Sequence, residues 1–150
     1  MKRYPGVFSL LLVVMAVTYF HWNGLRPGFT FLPVDLASKI MPWGDGYLEK
    51  LQNWLISDPL YQYYPFLLSQ IESIHQGEWL WWNPGIYMGH PAIADPLFQT
   101  FYPVTFGVMY LFGAARGYAI YLYLHVLLAA CFAFLLLRSL KFDLSASIAG

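Results

Sequence analysis

Long apolar runs dominate the chain and predict membrane-spanning helices. The first runs from about Val7 to Trp22, the second from about Leu97 to Ala115 and the third from Tyr118 to Leu137. About 20 apolar residues cross a bilayer as a helix, so each run is predicted to span it. Only Arg116 and Gly117 separate the last two runs, which predicts a tight helical hairpin with its turn at these two residues.

A new apolar pattern starts near the end of the sequence. Leu144 to Gly150 is rich in small apolar residues but is too short to cross a bilayer. We interpret it as the start of a fourth span, and residues 1–150 as the N-terminal part of one longer transmembrane domain. The predicted fold class is all-α, with multi-pass transmembrane helices and a long extracytoplasmic loop.

The first run has the charged start and apolar middle of a signal peptide, with Lys2 and Arg3 before it. Its end, Tyr19 to Trp22, is bulky where a cleavage site requires small side chains. We therefore interpret it as a retained anchor with an aromatic belt at the interface. Positive charges divide equally between the two sides, so the orientation rests on Lys2 and Arg3, which favour a cytoplasmic N-terminus.

The segment 23–96 would then lie outside the cytoplasm. It opens with coil containing Pro and Gly, and its spacing of apolar residues predicts two amphipathic helices suited to the membrane surface. The first covers Tyr47 to Leu55 and the second about Phe66 to Gln76, with Gly77 as its stop signal.

Composition agrees with a lipid environment. Hydrophobic residues make up 59% of the chain and charged residues 11%, against about 25% charged in soluble domains. The formal net charge is zero, which gives no basic surplus for nucleic acid. The single cysteine, Cys131, lies in an apolar run, and the sequence has no zinc spacing and no Asp-x-Asp or His-x-x-x-His pair. A divalent metal therefore has no ligand motif to support it.

One short pattern occurs twice in the long segment. Asp-Pro, an apolar pair and a glutamine are followed by Tyr-Pro, once from Asp58 to Pro65 and once from Asp95 to Pro103. Asp is a favoured N-cap and Pro a favoured first helical residue, so each Asp-Pro is predicted to start a helix. Capping does not account for the matching Gln and Tyr-Pro, and a carboxylate at a helix rim stays available for chemistry.

Between the two copies, the segment Gly77 to Pro91 contains three tryptophans in four residues and two turn signals, Asn-Pro-Gly and Gly-His-Pro. Such a segment is predicted not to form a regular helix. Its tryptophans suit either an aromatic anchor at the lipid headgroups or the wall of a binding site for a sugar or an isoprenoid chain. The sequence leaves both open.

The order of these motifs resembles the first extracytoplasmic loop of bacterial YfhO-type membrane proteins, which resemble GT-C glycosyltransferases. The resemblance covers about residues 58–103 and rests on Asp58, Gln62, Pro65, Gly77, Trp82, Asn83, Pro84, Gly89, Pro91, Ala94, Asp95, Tyr102 and Pro103. His125 and Arg138-x-Leu140 also look similar to the family pattern. The chain departs from the family's Pro-Leu-Trp-Asn-Pro and Gly-Gly-x-Pro, but neither departure touches an acid.

The resemblance implies a membrane enzyme that transfers a sugar, with inversion, from a polyprenyl-phosphate carrier to a cell-envelope acceptor. It places the catalytic base in this loop, with Asp58 as first choice, Asp95 as second and Asp45 as third. The residues expected to bind substrate are Gln62, Trp82, Asn83, His90, Gln99 and Arg138. Arg138, with Lys141, would hold the leaving phosphate, although snorkelling to the interface is the simpler interpretation.

Two other classes of function stay open. A transporter or flippase of a lipid-linked substrate predicts broken helices at mid-membrane, and the three runs contain no central Pro-Gly break. A membrane scaffold without chemistry predicts that the loop acids can be replaced without effect. His125, in the middle of the third run, is a functional candidate by its position or a neutral histidine bonded to a neighbouring helix.

Overall fold

The structure is a computed structural model that describes residues 5–39 and 55–149. The regular secondary structure of these residues is helical and includes no β-strand, which confirms the all-α prediction. The α-helices are α1 (Pro5–Leu25), α2 (Tyr64–His75), α3 (Pro103–Phe112), α4 (Ala114–Ser139) and α5 (Leu144–Ala149). Shorter turns are the 3₁₀ segments Val34–Lys39, Ala92–Ala94 and Pro96–Phe98 and the π-helical turn Pro59–Tyr63.

Two of these helices are long and apolar enough to cross a membrane. They comprise Gly6–Leu25 of α1 and all of α4. At 1.5 Å per residue they are about 30 Å and about 39 Å long, against about 30 Å for the hydrocarbon core. Large apolar side chains lie exposed along both, among them Phe8 and Phe132. These two helices support association with a membrane.

The second predicted span has a different shape. Its α-helix covers only Pro103–Phe112, about 15 Å, because residues 97–102 form a 3₁₀ turn and a loop. Pro103 lies in the first turn of α3. A helix of this length is about half as long as the hydrocarbon core is thick.

The predicted turn at Arg116 and Gly117 is wrong, since α4 runs through both residues. The break between α3 and α4 is at Gly113, whose φ of 76° ends α3. Gly117 instead allows α4 to pack closely against α3, because a Cβ on it would lie 2.6 Å from the Cα of Met109. The missing side chain lets the two helices approach closely.

The helix predicted at about 66–76 is confirmed as α2, whereas its location at the membrane surface stays a prediction. It buries Leu67 and Ile71, and Gly77 follows it with a φ of 82°. This left-handed glycine is a common helix terminator. The other predicted surface helix, from Tyr47 to Leu55, lies almost wholly outside the described residues, as does Asp45.

The chain divides into two compact units, one of residues 1–29 with 120–150 and one of residues 30–119. In the first, the hydroxyls of Thr18 and Tyr123 bond α1 to α4 at 2.7 Å. Asp143 caps α5, which begins where a new helix was predicted. Hydrogen bonds from Ala146 N–H and Ser145 hold the pKa of the Asp143 carboxyl below its usual value.

The second unit is built around α2 and α3. Its core contains Leu67, Phe98 and Met109, all essentially inaccessible to solvent. The rings of Phe66 and Phe98 stack at 4.5 Å between centroids and join α2 to the 3₁₀ turn of the second Asp-Pro copy. Both copies of the repeat and the tryptophan-rich segment belong to this unit.

Candidate functional site

The first Asp-Pro copy leads into α2 without a side-chain cap. Asp58 has helical angles, φ −54° and ψ −39°, and its carboxylate makes no capping hydrogen bond. The capping prediction is wrong for Asp58 because a residue already in helical conformation cannot fold its side chain back as an N-cap does. Asp58 is exposed, one turn before Tyr61 and Gln62.

The second copy behaves as predicted. Asp95 is extended, and its Oδ1 accepts the Leu97 N–H at 2.8 Å to cap the Pro96–Phe98 turn. Gln99 then adopts a left-handed conformation, and its Oε1 accepts the Thr105 hydroxyl at 2.6 Å. Each copy places its second proline in the first turn of a helix, Pro65 in α2 and Pro103 in α3. The hydrogen bonds of the two aspartates differ.

The tryptophan-rich segment contains a small hairpin, residues 83–90, and no regular helix, as predicted. Its ends pair as an antiparallel bridge, with Asn83 and His90 exchanging backbone hydrogen bonds of 2.7 and 2.9 Å. The Asn83 side chain also accepts the Gly85 N–H at 2.8 Å. Asn83 is thus occupied in shaping this hairpin.

The tip of the 83–90 hairpin is strained. Tyr87 and Met88 have φ of 50° and 60°, and the Gly89 N–H bonds to the Ile86 carbonyl at 2.7 Å. Two consecutive positive φ values are typical of a type I′ turn, which strongly favours Asn-Gly. Non-glycine residues in this conformation cost about 1–3 kcal/mol each and persist where the surroundings hold them.

Gly89 closes the hairpin against Trp82. Its φ is 123°, and a Cβ built on it would lie 2.5 Å from Cζ2 of the Trp82 ring. Trp82 is 56% exposed, so its ring covers the hairpin and still offers a free face.

The hairpin brings His90 against Asp95. Nε2 of His90 lies 2.8 Å from Oδ2 of Asp95, and both side chains are partly buried, at 29% and 16% exposure. The His90 ring stacks on Phe98 at 6.4 Å and meets the edge of Tyr87 at 6.2 Å. The imidazole is therefore fixed on three sides.

A cavity of about 360 Å³ is lined in part by Asp95 of this pair. Its lining comes from three parts of the sequence: the first repeat copy, the hairpin and the second copy. The residues are Tyr61, Gln62, Phe66, Ile86, Tyr87, Asp95 and Leu97. Motifs separated by more than thirty residues thus share one site.

Of the five predicted substrate-binding residues in this unit, Trp82 lies against Gly89 and does not line the cavity, and the other four fall into two groups. Gln62 is exposed and lines the cavity, and His90 contacts two residues that line it, Asp95 and Tyr87. Asn83 and Gln99 use their side chains in local hydrogen bonds. They act on the shape of the site.

Arg138 and His125 belong to the first unit. The Arg138 guanidinium donates to the Phe142 carbonyl at 2.6 Å, at the exposed end of α4. Nδ1 of His125 lies 2.7 Å from the Tyr121 carbonyl of its own helix, and a bond to a neighbouring helix stays a prediction. The phosphate-binding role of Arg138 stays a prediction.

Two cavity-lining residues and one buried glutamine of the second unit were not predicted from the sequence. Tyr87 and Ile86 line the cavity without belonging to a motif. Gln70 is completely buried on α2, and its amide atoms have no hydrogen-bond partner in the described structure. Its position three residues after buried Leu67 marks it as a polar residue on the apolar face.

Tyr64, at the start of α2 and outside the cavity lining, has a shifted pKa. Burial, and then the charge of Glu72, raise the pKa of the Tyr64 phenol above its usual value, so it stays protonated.

Within residues 5–39 and 55–149, no group of three or more His, Cys, Asp or Glu side chains is arranged to hold a metal ion.

Comparison of the chain with family models, with curated proteins and with solved structures gives no match. The resemblance to YfhO-type proteins therefore rests on the motifs themselves.

Proposed function

We propose that this chain is part of a membrane glycosyltransferase of the GT-C type. In this proposal a sugar passes from a polyprenyl-phosphate carrier to a cell-envelope acceptor on the extracytoplasmic side. The chain is anchored in the cell membrane with its N-terminus in the cytoplasm. The cavity beside His90 and Asp95 is the sugar site.

The main support for this proposal is that three motif segments line one cavity. The residues that resemble the family pattern are spread over 58–103, and Gln62 and Asp95, one from each copy of the repeat, line the same cavity. The hairpin between them supplies the third wall through Tyr87. A scaffold without chemistry gives no reason for an acid, an amide and an aromatic ring to meet there.

The character of the cavity also supports a sugar substrate. Ligand sites usually measure about 300–1,000 Å³ and combine apolar walls with a few polar groups. Here Tyr61, Phe66 and Tyr87 supply aromatic walls, and Gln62 and Asp95 supply hydrogen-bonding groups. Aromatic faces with a small number of amides and carboxylates suit a ring that is apolar on its faces and polar at its edge.

Membrane association is the third support. Two helices of the chain are long enough to cross a bilayer, which would keep a site in the connecting segment near the lipid that delivers the donor. The proposed chemistry needs a base for the acceptor hydroxyl and a stabilised leaving phosphate. Asp95 and His90 are proposed for the first need, and the resemblance alone assigns the second to Arg138.

Gln62→Leu tests the sugar site with a small change. Removing an amide that hydrogen-bonds the sugar should cost about 0.5–1.5 kcal/mol, so kcat/KM for the donor should fall roughly 2- to 12-fold, mainly through KM. The measurement is transfer of radiolabelled sugar from polyprenyl phosphate by membranes containing the protein.

Gln76→Leu is the matched control, because Gln76 is also an exposed glutamine but does not line this cavity. It should leave both kinetic constants unchanged. Equal effects of the two substitutions, or none from either, would contradict the placement of the sugar beside Gln62.

A further inference from the structure

Asp95 has both of its carboxylate oxygens occupied. Oδ1 accepts the Leu97 N–H and Oδ2 meets Nε2 of His90, each at 2.8 Å. A catalytic base must come within about 2.6–3.2 Å of the hydroxyl that it deprotonates. Asp95 is only 16% exposed and held from two sides, whereas the His90 side chain is 29% exposed.

The contact with Asp95 selects one tautomer of His90. A carboxylate accepts hydrogen bonds and does not donate them, so Nε2 of His90 carries the proton. In the neutral ring Nδ1 is then the unprotonated acceptor, and this is the form of histidine that works as a base. Among the described residues no hydrogen bond to Nδ1 is formed.

The surroundings hold the imidazole in this orientation. The backbone bridge to Asn83 fixes its main chain, Phe98 stacks on its ring and the edge of Tyr87 meets it. Asp95 and Tyr87 are themselves walls of the cavity. A strained hairpin thus places a histidine in contact with two residues that line the proposed sugar site.

We propose that His90 is the catalytic base of the transfer and that Asp95 is its positioning residue, an assignment that rests on the proposed function. Nδ1 of His90 takes the proton of the acceptor hydroxyl as that oxygen forms its bond to the anomeric carbon. The bond between this carbon and the phosphate oxygen breaks, and its electron pair leaves with the phosphate. The resulting imidazolium is stabilised by the Asp95 carboxylate until it returns its proton to water.

Two variants of His90 test the assignment. His90→Gln keeps a side-chain N–H that can donate to Asp95 but has no basic nitrogen, so transfer should fall about 10²–10⁴-fold while the melting temperature is retained. His90→Ala should lose transfer by a similar factor, and added imidazole should restore part of it. His75→Ala is the control: His75 is an exposed histidine of the same unit whose ring packs on Tyr110, and its loss should leave transfer unchanged.

A spectroscopic measurement separates this inference from the proposed function. In protein labelled with ¹⁵N-histidine, the nitrogen shifts of His90 should report the Nε2–H tautomer, and Asp95→Asn should convert it to the Nδ1–H tautomer. An Nδ1–H tautomer in the wild type would overturn the assignment. So would full transfer by His90→Gln, or a folded His90→Ala protein that imidazole does not restore. Failure of the wild type to transfer any sugar would instead overturn the proposed function on which the assignment rests.

Discussion

Asp95→Asn should lower sugar transfer by about 10²–10⁴-fold and leave the melting temperature nearly unchanged. Asparagine caps a helical turn about as well as aspartate, so the bond from the Leu97 N–H can persist. The side-chain NH₂ would then face Nε2 of His90 and donate to it. That donation forces the histidine proton onto Nδ1 and removes the basic nitrogen.

Asp58→Asn is the matched control for this result. Asp58 is exposed and makes no capping hydrogen bond, so its loss should change stability by less than about 0.5 kcal/mol. Transfer by this variant should stay near the wild-type rate. A large loss with Asp58→Asn and full activity with Asp95→Asn would contradict the site as described and would favour the motif-based first choice, Asp58.

Gly89→Ala should have the largest effect on the fold of the site. An alanine at φ 123° is strained by about 1–3 kcal/mol, and its Cβ would overlap the Trp82 ring at a further cost of about 1–3 kcal/mol. The 83–90 hairpin should therefore open and carry His90 away from Asp95. We expect a clear fall in melting temperature together with loss of transfer.

Two variants divide this effect into its parts. Gly77→Ala also places alanine at a positive φ, 82°, but nothing lies within 4 Å of the new Cβ, so it should be milder and leave transfer intact. Adding Trp82→Ala to Gly89→Ala should recover the steric part of the loss and leave the strain. A Gly89→Ala protein as stable and as active as the wild type would show that the hairpin does not depend on this close contact.

The helices that depend only on the local pattern of apolar residues could be predicted from the sequence. The apolar runs of α1 and α4 and the helical spacing of α2, ended by Gly77, are visible in the sequence and are present in the structure. The break before α4 could not be placed in the same way, because Gly113 and Gly117 are both glycines beside an apolar run. Only the packing of Gly117 against Met109 shows which of them ends a helix and which makes room for one.

The site illustrates the same limit. Asp58 and Asp95 stand in nearly the same local sequence, yet one is exposed in a helical conformation and the other is extended and bonded to His90. The contact of Asp95 with His90 depends on a hairpin whose tip, Tyr87 and Met88, lacks the Asn-Gly signal that would have predicted it. The acids could be named from the sequence, but the contacts that distinguish them are tertiary.

The proposed transfer of a lipid-linked sugar outside the cytoplasm is tested most directly by one measurement. Right-side-out vesicles from cells with and without the protein are supplied with polyprenyl phosphates carrying radiolabelled hexose or N-acetylhexosamine. We predict that label enters the cell-envelope fraction only in vesicles that contain the protein, and that Asp95→Asn abolishes most of it. No transfer from any of these donors by the folded protein would contradict the claim, and so would transfer confined to inverted vesicles.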